Sequence, residues 1–301
     1  MSTPQISVVV IFLNEEQFLA EAIESVFAQT FADWELILVD DGSSDGSVEA
    51  ARLACEERPH QVRLLQHPGC ANMGMSASRN LGIGHCRGEW ISFLDGDDVW
   101  LPQKLERQVA VSEEAPGVDI VVSPAKLWRT WSTDSSDAVD DVQRFRMEAG
   151  VIAEPPALVE GFLEDEMTSV CDLLARRSVV EQVGGYETEF TGMFEDQVFH
   201  VKLLRNRSAA VTDFSGYQYR QHRGSTTAQA HSARRHLQAR RRFLAWCARY
   251  LRGKREESPK AGLDVLRWKV RYQRGKLLWP LLRSTAGAVR RRVSSVRLDR
   301  I

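Results

Sequence analysis

Apolar runs and helical stripes alternate along the first 125 residues. Ile6 to Leu13 is a nearly unbroken apolar run of strand length, Glu16 to Ala28 places Leu19, Ile23 and Val26 at helical spacing, and Trp34 to Val39 is a second apolar run. The turn Asp40-Asp41-Gly42-Ser43-Ser44-Asp45 closes that strand and supplies cap residues for a helix through about Glu57. Val62 to Leu65 predicts a third strand, Met75 to His85 a helix and Trp90 to Leu94 a fourth strand. Pro102 starts a helix to Glu114, and Asp119 to Ser123 is a fifth apolar run. Strand and helix in alternation, with short joints, predict an α/β fold in which helices flank a mostly parallel, Rossmann-like sheet.

Two of the predicted strands end in acids. Trp90 to Leu94 runs directly into Asp95-Gly96-Asp97-Asp98, and Trp34 to Val39 into Asp40-Asp41. In a doubly wound sheet both ends open onto one edge, where such folds bind ligands. Crowded carboxylates repel one another, so the cluster suits a divalent cation and a phosphorylated substrate. The first turn reads Leu13-Asn14-Glu15-Glu16 and no glycine-rich phosphate loop follows a strand, which leaves a metal at Asp97 as the means of neutralising a diphosphate. Asp41 or Asp40 could accept hydrogen bonds from a base or ribose. The same two residues also suit an ordinary turn.

Composition narrows the picture. The chain has 301 residues, 43% apolar and 27% charged, which suits one large domain or a domain with an appendage. No stretch of about 18 uncharged apolar residues predicts a spanning helix, and the N-terminus reads as a first strand, so a cytoplasmic protein is expected. Five cysteines without a CxxC pair suggest neither a disulfide framework nor a zinc knuckle, and the seven histidines show no HExxH spacing. Charge is divided sharply. Residues 1–229 hold 18 Lys and Arg against 37 Asp and Glu, whereas residues 230–301 hold 21 against 4.

The ordered motifs carry a resemblance. ISVVVIFLNEEQFLAEAIESVFAQT, VDDGSSDGS, SASRNLGIGHCRGEWISFLDGDDVWLPQKLE and VGGYETEFTGMFEDQVFHVKL together resemble the family 2 nucleotide-sugar glycosyltransferases of GT-A fold, over roughly residues 5–225. The resemblance implies a catalytic domain over 1–229, divided into a nucleotide-sugar half (1–125) and an acceptor-side half (126–229), with a basic helical tail over 230–301. It implies that Asp41, with Asp40 beside it, contacts the nucleoside, with Asn14 and Glu15 also on the substrate. Asp95 and Asp97 form the Asp-X-Asp pair, and Asp97 ligates Mn²⁺ or Mg²⁺. Glu195 and Asp196 form the acceptor-side pair, with Asp196 as general base. Arg220, His222 and Arg223, in Tyr217 to Ser225, would bind phosphate oxygens, and the same stretch equally suits a solvated basic loop. The implied reaction is inverting transfer from a nucleoside diphosphate sugar, UDP-sugar favoured, to a glycan or lipid-linked acceptor in surface polysaccharide synthesis.

The residues alone leave alternatives open. Glu195-Asp196 opens a helix with Val198, Val201 and Leu204 inward, and first-turn acids also stabilise a helix dipole. Gly184, Gly185 and Gly192 would let a substrate approach the backbone closely. Asp95-Gly96-Asp97-Asp98-Val99 also fits the first motif of haloacid-dehalogenase-like phosphatases, with Asp95 as nucleophile, although that motif normally follows the first strand. A non-catalytic nucleotide- or glycan-binding module is a third reading. The chain departs from the family pattern at Ile11-Phe12-Leu13 and in the loop Gly69 to Gly74, which carries Cys70 and Met73.

The tail is amphipathic and basic. Phe243, Trp246, Cys247, Tyr250 and Leu251 form one apolar stripe, Leu263, Leu266, Val270, Leu277 and Leu281 a second, and Val289, Val293 and Val296 a third, flanked by arginines. Such helices suit peripheral contact with an anionic membrane on its cytoplasmic face, where each cation adds about 1 kcal/mol. The competing expectation packs these stripes on the acidic body. Nucleic acid is not expected, because no recognition motif accompanies the charge.

Overall fold

The computed structural model describes residues 3–132, 139–143, 145, 148–164, 172–225, 228, 233–253, 264 and 266–274. Strand β1 (Ile6–Phe12) is wholly buried and pairs in parallel with β2 (Trp34–Asp40) on one side and β4 (Trp90–Asp95) on the other. The short strand β3 (Val62–Gln66) extends the parallel set beyond β2. Register sets the chemistry: Phe12 lies opposite Asp40 and Ile11 opposite Asp95, so two acid-ended strands finish level on either side of β1. Beyond β4 the order continues through β10 (Asp172–Arg176), β6 (Ile120–Ser123), β11 (Ala209–Val211) and β9 (Val151–Ala153), with β10 antiparallel to both of its neighbours. The mostly parallel sheet expected from the sequence is present. The strands β9 to β11, which the hydropathy pattern does not show, complete it.

Alternation within the buried strands divides the interior in two. Val8, Val10, Leu36, Leu38 and Leu94 face α1 (Leu19–Phe27), α2 (Ser47–Glu57) and α4 (Lys104–Glu114). Val9, Ile11, Ile37, Val39, Ile91 and Phe93 share the opposite core with α3 (Met75–Ile83), α5 (Ala157–Glu164), α6 (Arg177–Gln182) and α7 (Glu195–Leu204). A small second sheet joins β5 (Val99–Trp100), β12 (Tyr217–Arg220), β7 (Ala125–Trp128) and β8 (Asp141–Val142). It brings residues 217–222 against the turn that follows β4.

The basic tail corrects the membrane expectation for its first stripe. In α8 (Ala233–Gly253), Phe243, Cys247 and Leu251 are fully buried and Trp246 nearly so. Leu266 and Val270, in a helical segment over 266–274, join the same core. The apolar face is therefore occupied by the body, where burial contributes about 1.5–3 kcal/mol per large side chain. Charge follows the same division: Lys269 bonds Glu160 at 2.9 Å and Glu164 at 2.6 Å, and Arg242 and Arg249 pair with Glu189. Residues 263, 277 and 281 and the third stripe lie outside the described residues. Among the described residues no helix is long and apolar enough to cross a membrane.

A fully buried ion pair joins α4 to β10. Lys104 Nζ sits 3.4 Å from Asp172, both fully buried, with Gln108 donating to Asp172 at 2.7 Å and the Trp100 ring 3.8 Å from the ammonium. Burial pulls the Lys104 ammonium down to about 8 despite the carboxylate beside it. Removing one partner strands the other charge. Lys104→Ala should cost about 3–5 kcal/mol in urea unfolding, and adding Asp172→Ala should restore part of that loss; strictly additive losses would contradict the coupling.

Candidate active site

Immediately after β2, both acids of the turn are engaged by the protein. Asp40 is buried and accepts hydrogen bonds from the Ser43 amide at 2.8 Å and from Gln66 Nε2 at 2.9 Å. Asp41 accepts the amides of Met73 at 2.8 Å and Gly74 at 3.0 Å, which clips the loop over residues 68–74 against the strand end. That loop passes so close to Gly42, at φ 91°, that a Cβ there would meet Cys70 O at 2.8 Å. Asn14, left-handed at φ 57°, accepts the Ser44 amide at 2.8 Å and donates its own amide to Ser43 Oγ. Glu15 donates its amide to Ser47 Oγ, and Asp45 holds the start of α2 by accepting from Ser47. The turn acids thus build the edge, and the loop clipped by Asp41 borders it.

The acid that ends β4 and the two that follow it point to three different partners. Asp95 accepts from Arg79 Nη2 at 2.6 Å, and Asp97 Oδ2 lies 3.0 Å from His222 Nε2. Asp98 is buried, and accepts from the Tyr217 hydroxyl at 2.8 Å and the Arg220 amide at 2.7 Å. Burial, with Asp97 and Asp95 adding to it, pushes the Asp98 carboxyl well above its usual range. Glu15 is raised to about 7, by burial first and then by Asp97, while His222 opposes the shift. Asp95 ends the fourth strand rather than the first, which is not the placement that the phosphatase motif requires.

Arg220 departs from expectation. Instead of projecting toward a phosphate, its guanidinium is buried among the rings of Phe18, Trp128 and Trp131, 4.6 to 5.1 Å from each. It donates to the Asp97 carbonyl at 2.7 Å and to Glu21 at 2.5 Å. A guanidinium so enclosed fixes the acid-rich turn from behind. His222 lies beside the same turn, with Nε2 3.0 Å from Asp97 Oδ2.

Across from these turns, α7 begins with Glu195 and Asp196, and the residue that caps it is unusual. Phe194 has φ 74°, a left-handed conformation that is an outlier for a bulky side chain and costs on the order of 1–3 kcal/mol. Glu195 is buried, with Oε1 3.4 Å from Arg79 Nη1. Burial pushes its carboxyl up to about 8, Asp196 adds to the shift and Arg79 opposes it. Asp196 is half-buried and accepts the Gln197 amide at 2.6 Å. Of the glycines before the helix, Gly185, φ 61°, serves packing: a Cβ there would meet Asn80 Oδ1 at 2.4 Å, and Asn80 exchanges two hydrogen bonds with Tyr186, whereas a Cβ at Gly184 or Gly192 would meet nothing within 4 Å.

One residue that sequence reasoning passed over joins the two halves. Arg79, on α3 and buried, contacts Asp95 with one nitrogen and Glu195 with another, and its guanidinium lies 5.2 Å from the Tyr186 ring centre. The available signal was a charged residue on a short helix whose neighbours Ser78, Gly82 and Ile83 are buried. Among the described residues no group of three or more His, Cys, Asp or Glu side chains is placed to hold a metal unaided.

Comparison with known proteins gives a consistent result. The description "Glycosyl transferase family 2" matches residues 7–151. The uncharacterized glycosyltransferase EpsJ of Bacillus subtilis is 30% identical over 229 residues, 74% of this chain and 63% of that relative. The uncharacterized glycosyltransferase YibD of Escherichia coli is 28% identical over 255 residues, 81% of this chain and 69% of the relative. The chain thus spans less than two thirds of the Bacillus subtilis relatives it matches. Among solved structures, Staphylococcus aureus TarS 1–349 in complex with UDP-GlcNAc superposes with a TM-score of 0.70 at 19% identity, covering 90% of this chain and 73% of that one. The mannosyltransferase PcManGT from Pyrobaculum calidifontis, in complex with GDP-Man and Mn²⁺, gives 0.58 at 17% identity over 99% and 81%. These structures share the fold.

The raised Glu195 carboxyl has a thermodynamic consequence. The folded protein keeps this proton where the unfolded chain, titrating near 4.5, has released it. The associated stability is present below that value and is lost as pH rises through about 8. Glu195→Gln should therefore flatten the decline of Tm between about pH 5 and pH 8; an unaltered slope in a scanning calorimeter would contradict the assignment.

Proposed function

Since the chain belongs to glycosyltransferase family 2, by the match over residues 7–151, we propose that it is a metal-dependent inverting glycosyltransferase. The donor is a nucleoside diphosphate sugar and the acceptor a hydroxyl of a glycan or lipid-linked glycan, in the synthesis of a surface polysaccharide. One observation carries this reading. A single guanidinium, Arg79, touches both Asp95 and Glu195, so the acids of the donor side and those of the acceptor side border one space. A uridine nucleotide is the favoured donor, because TarS 1–349, which shares the fold, holds UDP-GlcNAc.

In this reading Asp41 and Asp40 shape the loop over 68–74 that frames the nucleoside, and Asn14 and Glu15 front the same edge. Asp97 and His222, 3.0 Å apart, offer a carboxylate oxygen and an imidazole nitrogen to one divalent cation, Mn²⁺ or Mg²⁺. Two protein donors suit an ion that completes its coordination with diphosphate oxygens and water. Burial first, and then the Asp97 charge, lift Glu15 to about 7, and an ion at Asp97 would relieve the second of these. When bound, the cation supplies Lewis-acid stabilisation of the departing diphosphate.

Asp196 is the general base. Its carboxylate takes the proton of the acceptor hydroxyl as that oxygen forms a bond to the anomeric carbon, and the bond from that carbon to the diphosphate oxygen breaks with its electron pair. One displacement inverts the configuration. Arg79 fixes Asp95 and Glu195 beside that space through one guanidinium.

Uridine and guanosine diphosphates should raise the Tm of the wild type in the presence of Mn²⁺, and Asp97→Ala should lose that increment; equal stabilisation of both proteins without metal would contradict the cation assignment. Asp196→Asn should retain donor binding and lose transfer by about 10²- to 10⁴-fold. Transfer at the wild-type rate would remove the base assignment.

A further inference from the structure

The residue that launches α7 is held by a segment far away in sequence. Phe194 takes a left-handed backbone conformation although it carries a large side chain, and such a conformation persists only where the surroundings over-determine it. Here the surroundings are α8. The Phe243 ring stacks on Phe194 with centroids 5.3 Å apart and planes 14° apart, and His236 lies 5.5 Å from the same ring. The Arg240 guanidinium is 5.7 Å from the Phe194 centroid and 5.4 Å from that of Phe243. Phe194, Arg240 and Phe243 are all buried.

Arg240 also fixes where α8 lies. It donates to the carbonyl oxygens of Phe162 at 2.7 Å and Leu163 at 2.6 Å, in the last turn of α5. Helix α5 meets α7 through the stacked rings of Phe162 and His200, 5.6 Å apart. The loop before α7 is held likewise: Trp246 packs edge-on to Phe190, and Arg242 bonds the Glu189 carbonyl. The Phe190 carbonyl in turn accepts the Ser76 hydroxyl at 2.8 Å, on the helix that carries Arg79.

We propose that α8 is a working part of the acceptor side of the site, in which Phe243 and Arg240 hold Phe194 left-handed and thereby aim Glu195 and Asp196. Phe243 and Arg240 are positioning residues, and the inference rests on the reading of Asp196 as the base. The left-handed residue sets the direction in which the chain enters α7, so Glu195 meets Arg79, with Asp196 next to it in the first turn, only while Phe194 keeps its conformation. Without the stack, the backbone can relax toward negative φ and the acid pair turns.

The test uses the full chain and four variants. Phe243→Leu keeps apolar volume without the ring, Phe243→Ala removes it, Leu251→Ala opens a cavity two turns farther along the same buried stripe, and Phe194→Gly accepts the left-handed backbone without needing support. At a temperature below every Tm, Phe243→Ala or Phe243→Leu should lower kcat by about 10- to 100-fold, with UDP binding unchanged and faster hydrogen exchange at the amides of residues 195–198. Leu251→Ala should lower Tm but keep kcat. In a Phe194→Gly background, Phe243→Leu should have no further effect on kcat.

Losses of kcat that follow Tm equally in the Phe243 and Leu251 variants would overturn the proposal, as would unchanged exchange at residues 195–198. Exchange requires no turnover. Retained transfer in Asp196→Asn would therefore defeat the base assignment while leaving the support of α7 by α8 separately measurable.

Discussion

Like charge gathered at one edge of a sheet is the constraint around which the rest of the molecule is arranged. In-register pairing of β1 with β2 and β4 brings Asp40 and Asp95 level, and the turns add Asp41, Asp97 and Asp98. Across the space stand Glu195 and Asp196. Coulomb repulsion among so many carboxylates would splay these turns unless cations or donors intervene. Arg79 intervenes between the two groups, with a charge at 2.6 Å from Asp95 and 3.4 Å from Glu195, and Arg220 secures the acid-rich turn through the Asp97 carbonyl. Burial and the neighbouring acids push the Glu15, Asp95, Asp98 and Glu195 carboxyls up, at Asp95 and Glu195 against the opposing charge of Arg79.

Hydrogen bonding then sorts these acids by use. Asp40, Asp41 and Asp98 have oxygens occupied by backbone amides or a buried hydroxyl, and removing any of them would leave buried donors unpaired. Asp97 and Asp196 differ. Among the described residues the first faces only the His222 ring with its carboxylate, and the second accepts only the adjacent Gln197 amide. Carboxylates with spare acceptor capacity at the rim are the ones a cation or a substrate hydroxyl can engage. This is why equal density of acids in the sequence corresponds to unequal roles in the fold.

Much of the edge was legible because its signals are local. An apolar run followed at once by acids reports a buried strand and its exposed end without reference to the rest of the chain, and β1, β2 and β4 lie where the pattern placed them. Arg79 gave no comparable signal, since its meaning comes from Asp95, 16 residues away, and Glu195, 116 away. Arg220 misled for the opposite reason. A basic residue beside His222 reads as a phosphate ligand, and only the aromatic rings of Phe18, Trp128 and Trp131 around it, drawn from distant segments, show it to be enclosed. Gly185 was read as room for a substrate, whereas the room belongs to Asn80.

The C-terminal helix poses the same problem on a larger scale. A stripe of Phe, Trp, Cys and Leu with arginines on either side satisfies two surfaces equally, an anionic bilayer and an acidic protein body, because both offer an apolar plane bordered by negative charge. Periodicity cannot distinguish them. What does is the placement of particular acids and carbonyls: Glu189 receives Arg242 and Arg249, Glu160 and Glu164 receive Lys269, and the last carbonyls of α5 receive Arg240. Each is a donor matched to a fixed acceptor, which a fluid surface does not provide. Among the described residues, part of the charge asymmetry between body and tail therefore has an intramolecular use, and α8 brings the Phe243 ring to the residue that opens the acid-bearing helix.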